Sequence, residues 1–285
     1  MKILILILSL IPFITTYAGP YGQQWISMPS SNDSSQIWFR RDFIPEKPIM
    51  SAHLSIVSQS DYKAYINGWQ LNDDVYDVAD LFDSDTVTVA LWYSNTQHSN
   101  NSRFAAVIYG TYEDGENFAF YSNASWTCHA ANSYCDSTQH EFIDGTLHSN
   151  RWKHPSYYAP DWQYVSISGF DSIWQTDHSS WRHGGTIISK IIKPISQEML
   201  GDTLIYDFGR TFQGKIRITL RGMQTGDIIK CNNFTYICRG VDDEQAFTMF
   251  IQPSCRDAII TSNNKNLAEK ITKIEALVYT KRSIY

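Results

Sequence analysis

Leu204-Ile-Tyr-Asp-Phe-Gly-Arg-Thr-Phe-Gln-Gly-Lys-Ile-Arg-Ile-Thr-Leu-Arg-Gly222, followed by Thr225-Gly226-Asp227-Ile228-Ile229, is the stretch that decides the fold class. It predicts a strand, a corner permitted by Gly209 and Gly214, and a second strand of strict alternation. Ile216, Ile218 and Leu220 point one way, while Lys215, Arg217, Thr219 and Arg221 point the other. A period of two with one apolar face marks a half-buried antiparallel strand. Gly222 and Thr225-Gly226-Asp227 then turn the chain into a further β-rich run.

The same reading extends in both directions. Ile37 to Phe43, Ser51 to Ser58, Tyr62 to Ile66, Thr86 to Tyr93, Phe104 to Tyr112 and Phe118 to Tyr121 are short β-type runs separated by turn residues. Asn67-Gly68 lies between Tyr65-Ile66 and Trp69-Gln70, the pattern of a type I′ hairpin, whose two turn residues take positive φ. Asp77 to Phe82 reads as a short helical turn. Downstream, Thr186 to Ile192, Phe247 to Ile251 and Ile274 to Tyr279 continue the β pattern, and Asn263-Asn-Lys-Asn266 is a loop. Between the two blocks, residues 127–185 hold six of the eight histidines and few aliphatic runs. That segment reads as irregular loops with a short strand near Tyr164 to Ile167.

The chain of 285 residues is mildly acidic, with net charge −6, and 14% aromatic. No basic stripe points to nucleic acid, and no second apolar span points to a membrane anchor. Met1-Lys2, the apolar run Ile3 to Ile14 and Thr16-Tyr17-Ala18 together read as a cleavable export signal over residues 1–18, hence a secreted or periplasmic protein. In that compartment Cys128 and Cys135 are expected to close a short loop. Two of Cys231, Cys238 and Cys255 would pair, leaving one thiol over. Cys128, His129, Cys135 and His140 are close in sequence, but their spacing matches no familiar structural zinc pattern.

Several fragments resemble the non-catalytic amino-terminal domains of bacterial α-L-rhamnosidases. They are Phe39-Arg40, then Tyr62-Lys-Ala-Tyr-Ile-Asn-Gly68, Tyr76-Asp77-Val78, Ser125-Trp126 and the Asp207-Phe208-Gly209 block. The resemblance implies an all-β chain of two β-sandwich or jelly-roll units, galactose-binding-like in form. The units would span residues 19–126 and 186–285, joined by the irregular linker 127–185. The acid-rich motif of the family's catalytic (α/α) barrel does not occur, and no helical pattern long enough for such a barrel follows Asp257. Asp242, Asp243 and Glu244, adjacent in a turn-like stretch, read as a solvated loop rather than the separated carboxyl pair that glycoside hydrolysis needs. No catalytic residue is therefore assigned.

Sugar binding needs only an aromatic face and a few hydrogen-bonding groups. Trp69, Asn72, Asp73, Asp74 and Tyr76 supply both in one loop after the hairpin turn. The resemblance implies that such acidic and amide residues can bind rhamnose through calcium. The alternatives are an ordinary acidic rim turn and a Trp69 that faces inward. The functional expectation is a carbohydrate-binding or accessory protein for rhamnose-containing glycans. Its competitors are a divergent or truncated glycoside hydrolase and a structural subunit that docks a separate catalytic chain.

Overall fold

A computed structural model describes residues 24–29, 35–58, 60–71, 77–82, 85–94, 103–167 and 186–281 of the chain. The export-signal segment 1–18 lies outside the described residues. The protein is built almost wholly from strands, as expected. The first half contains β1 (Ile26–Ser27), β2 (Ser35–Phe43), β3 (Ile49–Ser58) and β4 (Tyr62–Ile66). It continues with β5 (Trp69–Gln70), β6 (Val87–Tyr93), β7 (Phe104–Tyr112) and β8 (Asn117–Tyr121). A five-stranded sheet of β12 (Ser166–Ile167), β1, β7, β3 and β8 faces the layer built on β2, β6, β4 and β5.

Strand β6 explains how this half is layered. All seven of its residues are buried. Val87, Val89, Leu91 and Tyr93 enter the core between the two sheets, with Phe39 and Phe104. Ala90 and Trp92, on the opposite face, join a separate aromatic cluster with Trp38, Tyr65 and Trp152. A strand covered on both faces reads as a continuous apolar run rather than an alternating one, which is the pattern of Val-Thr-Val-Ala-Leu-Trp-Tyr.

The segment after Trp126 corrects the sequence reading. The linker 127–185 was expected to be irregular, yet β9 (Thr127–Cys135) and β10 (Glu141–Asp144) are integral sheet strands. Strand β9 pairs with β2 and with β11 (Gln163–Tyr164). Asn132 and Ser133 hide the pattern, because both are buried polar residues, each anchored by one side-chain hydrogen bond. Asn132 Nδ2 donates to the Asp144 carbonyl at 2.8 Å and Ser133 Oγ to Gln36 Oε1 at 2.6 Å. Residues 152–162 then fold over the outer face of β2 and β6, where Trp152 stacks on Trp38 at 5.1 Å between centroids.

The second half adds β13 (Thr186–Ile192), β14 (Ser196–Leu200), β15 (Thr203–Leu220) and β16 (Ile228–Cys231). Strands β17 (Phe234–Ile237), β18 (Glu244–Ala246), β19 (Ser254–Ser262) and β20 (Ile271–Lys281) complete it. Strand β15 is a single continuous strand where two strands joined by a corner were expected, with only a register irregularity between Asp207 and Phe212. Residues Leu204 to Asp207 and Phe212 to Gln213 pair with β19, and from Gly214 onward the strand pairs with β20. Ile216, Ile218 and Leu220 face the second core. Lys215, expected to face solvent, is only 3% exposed, because residues 247–251 cover that face. Those residues, read from the sequence as a strand, form a loop.

Parallel pairing of β10 with β17, Glu141 beside Phe234 through Asp144 beside Ile237, joins the halves into one continuous sheet of fifteen strands. The short alternating strands with two separate cores are β-sandwich architecture. Among the described residues, no helix is long and apolar enough to cross a membrane.

All five cysteines are free thiols, which corrects the expected disulfides. Cys128 and Cys135 stand seven residues apart on the single strand β9. At about 3.3 Å per strand residue, their separation is far beyond the reach of an S–S bond.

Candidate functional site

The hairpin forms as its sequence requires. Asn67 and Gly68 have φ of 48° and 86°, and Ile66 pairs with Trp69 across the turn. The Asn67 side chain ties the turn to its surroundings. Its Nδ2 donates to the Leu81 carbonyl at 2.9 Å and its Oδ1 accepts from Thr88 N at 2.8 Å. His154 packs directly against Gly68, filling the space that a Cβ would need. The turn is thus held from three sides.

Trp69, presented by this turn at the free end of the large sheet, is 64% exposed. It does not pack into the core. Asn72, Asp73, Asp74 and Tyr76 lie outside the described residues. The chain around them is anchored: Leu71 N donates to the Ala64 carbonyl at 2.9 Å, and Val78 N to the Ala52 carbonyl at 2.8 Å. Leu71 and Val78 both pack on the first core.

A second concavity, of about 330 Å³, opens where the two halves meet. Asp61 enters it from the first half and Gln139 from the β9–β10 turn, while Asn233, Phe250 and Gln252 come from the second half. Sequence reasoning missed this group because its members are far apart in the chain. The nearest signal was the turn chemistry around Asp136-Ser-Thr-Gln139 and Asn232-Asn233.

Each wall of the cleft is fixed by its own hydrogen bonds. The Asp136 carboxylate accepts from Thr138 N at 2.9 Å and from His140 N at 3.0 Å, and Gln139 takes φ of 61° in this turn. Asn232, with φ of 44°, accepts from Ile259 N at 2.8 Å and donates to the Asp257 carbonyl at 2.8 Å, setting the adjacent Asn233. The loop carrying Phe250 and Gln252 is held from below by Glu141, which is fully buried. One of its carboxylate oxygens faces the amides of Met249, Phe250 and Ile251 at 2.9, 3.4 and 3.5 Å. The other accepts from Gln36 Nε2 at 2.6 Å.

Beneath the same loop, Lys215 Nζ donates to the Met249 carbonyl. Burial holds this ammonium well below its ordinary pKa, and Lys63 pushes in the same direction, while Glu141 and Asp61 oppose it. Desolvation of a cation is the dominant cause.

The acidic run 242–244 is the expected exposed turn at Asp242 and Asp243 but not at Glu244. Glu244 lies on β18, only 5% exposed, and accepts from Tyr236 Oη at 2.8 Å, Arg239 N at 2.6 Å and Gly240 N at 3.1 Å. Asp243 is exposed and pairs with Arg221 at 2.8 Å. Glu244 thus closes a turn. Among the described residues, no group of three or more His, Cys, Asp or Glu side chains gathers to hold a metal ion.

No protein-family model matches the chain. An α-L-rhamnosidase of Alteromonas sp. (strain LOR) is 26% identical in an alignment of 227 residues that covers 68% of this chain and 24% of that enzyme. Among solved structures, the α-L-rhamnosidase of Aspergillus terreus matches with a TM-score of 0.77 at 16% identity, over 92% of this chain and 36% of that one. The enzyme described from Dictyoglumus thermophilum matches with a TM-score of 0.74 at 19% identity, over the same shares. That of Streptomyces avermitilis, solved with L-rhamnose, gives 0.73 at 17% identity, over 88% of this chain and 29% of that one. The fold is therefore shared with a portion of these enzymes, and the chain spans a quarter to about a third of their length.

Proposed function

We propose that the chain is an exported, non-catalytic carbohydrate-binding or accessory module of the α-L-rhamnosidase type. Its saccharide platform is Trp69 or Tyr76, with Asn72, Asp73 and Asp74 as polar or calcium ligands. The observation that carries this reading is the exposed indole of Trp69 on a hairpin turn fixed by Asn67 and His154. A rigidly presented aromatic face loses little entropy when a sugar stacks on it. The likeness to part of several α-L-rhamnosidases supports the ligand class.

A glycan array of the mature chain, with and without calcium, tests the proposal. Rhamnose-containing glycans are expected to bind, and Trp69→Ala is expected to weaken that binding at least about tenfold, the scale of one lost stacking contact. Affinity that survives both Trp69→Ala and Asp73→Ala in folded protein overturns the site. Release of sugar from rhamnosides by the purified chain, in a preparation free of contaminating hydrolase, overturns the non-catalytic reading.

A specific observation favours a second reading, docking to a separate catalytic chain. Ile187, Ile188 and Ile191 on β13, with Ile195, Met199 and Leu200 on or beside β14, are 44–73% exposed. Such apolar exposure commonly marks an interaction surface. Co-sedimentation with the Alteromonas enzyme deleted of its matched segment, lost on Ile188→Asp with Met199→Asp, is the expected result of docking.

A further inference from the structure

We propose that the cleft between the halves is a second binding site, selective for a single neutral sugar residue. This rests on the carbohydrate-binding reading of the chain but not on the Trp69 platform.

The chemistry of the lining points to the ligand class. Asp61 offers a carboxylate, Gln139, Asn233 and Gln252 offer carboxamides, and Phe250 offers an aromatic ring. A carboxamide donates and accepts, and a carboxylate accepts twice, which suits the paired donor–acceptor hydroxyls of a pyranose. An aromatic ring suits its apolar C–H patch. None of the lining side chains is cationic. Asp61 repels phosphates and sugar acids from the cleft, while the Lys63 ammonium, 5.9 Å from the centre of the Phe250 ring, partly offsets that repulsion. Its volume of about 330 Å³ lies at the small end of ligand sites, which fits one ring rather than an oligosaccharide.

The rigidity of the walls argues for a preformed site. Phe250 packs against the aromatic cluster of Trp38, Tyr65, Trp92 and Trp152. The Glu141 carboxylate and the Thr248 hydroxyl, which donates to the Ile251 carbonyl at 2.6 Å, hold its loop. Gln213 Nε2 holds the Gln252 carbonyl. Walls ordered before binding reduce the entropy that a weak monosaccharide ligand must overcome. Because Asp61 and Asn233 come from different halves, the site exists only when both halves are folded together.

Saturation-transfer NMR and calorimetry on the full chain, with L-rhamnose, D-galactose and D-glucose up to about 50 mM, test the proposal in the weak-affinity range. At least one sugar is expected to bind, with Asn233→Ala and Gln252→Ala each weakening it about tenfold. Arg221→Ala, at an exposed ion pair outside the cleft lining, should leave that affinity within about twofold. Thermal melting identifies any variant that fails to fold, and two independent polar positions keep the test decisive. Monosaccharide binding lost in Trp69→Ala but kept in both cleft variants overturns the cleft and leaves the platform standing. Glycan-array binding without any monosaccharide binding does the same. Failure of both assays overturns the carbohydrate reading and the cleft together.

Discussion

Lys153 sits in a cage of rings, with Nζ 4.1 Å from the centre of Tyr65, 5.4 Å from Trp152 and 5.8 Å from Trp92. It is 9% exposed. Desolvation, aided by the charge of Lys63, lowers its pKa from 10.5 to about 8. Between those values the unfolded chain holds a proton that the native chain has released. The group therefore opposes folding below pH 8, and that cost is relieved as pH rises towards 10.5. Buried thiols and tyrosines act in the opposite direction, so the comparison must be with Lys153→Met. Wild-type stability, measured by denaturant unfolding relative to that variant, should rise by about 2 kcal/mol between pH 8 and 10. A flat difference would show that the cage does not desolvate the ammonium. At the same scale, burial pushes Cys128 up to about 12 and Cys135 up to about 11. A thiol reagent should label all five cysteines in denaturant without prior reduction, and Cys128 and Cys135 only slowly in the native state.

Two elements depend on the absence of a side chain. At Gly214, where β15 leaves β19 for β20, a Cβ would run into the carbonyl of Leu277 on the neighbouring strand. Gly214→Ala must therefore separate two core strands. It should cost on the order of 2–3 kcal/mol in denaturant unfolding, as overpacking does. Gly68→Ala meets both positive φ and the His154 ring. Its expected cost is about 1–3 kcal/mol, and indifference at either position would contradict the packing described. The hairpin was readable because Asn-Gly constrains a turn locally. Loop 247–253 was not readable as a loop, because Phe247-Thr-Met-Phe-Ile251 has strand composition. Its conformation is imposed by Glu141, more than a hundred positions earlier. Glu141→Ala should leave those amides without their buried acceptor and destabilise the protein by about 3 kcal/mol.

As a whole molecule, the chain is two cores sharing one sheet. The β10–β17 ladder and the aromatic cluster, which includes Met249 and Phe250 from the second half, both cross the junction. Shared strands and shared packing couple the halves, so unfolding should be a single cooperative transition. All nine tryptophans precede residue 182, so none lies on β13 to β20 and their emission reports directly on no strand of the second half. Their denaturation curve should coincide with loss of hydrogen-exchange protection along β15 in the second half. Separate midpoints would show two independently stable units.

The sequence by itself determined what depends on neighbours in the chain. Alternation in Lys215 to Arg221 places Ile216, Ile218 and Leu220 inward, Asn67-Gly68 makes a tight hairpin, and Thr86 to Tyr93 marks a strand. Each follows from a two-residue period or from the φ preference of one residue type. Only the tertiary structure decided what depends on distant partners. Asn132 and Ser133 join a buried strand because the Asp144 carbonyl takes the Asn132 amide and Gln36 the Ser133 hydroxyl. Lys215 turns from a solvent-facing position into a buried one because a loop covers it. Cys128 and Cys135 remain thiols because β9 holds them apart. Asp61, Gln139 and Asn233 face one cleft because parallel pairing of β10 with β17 brings the halves together, a contact that no local pattern encodes.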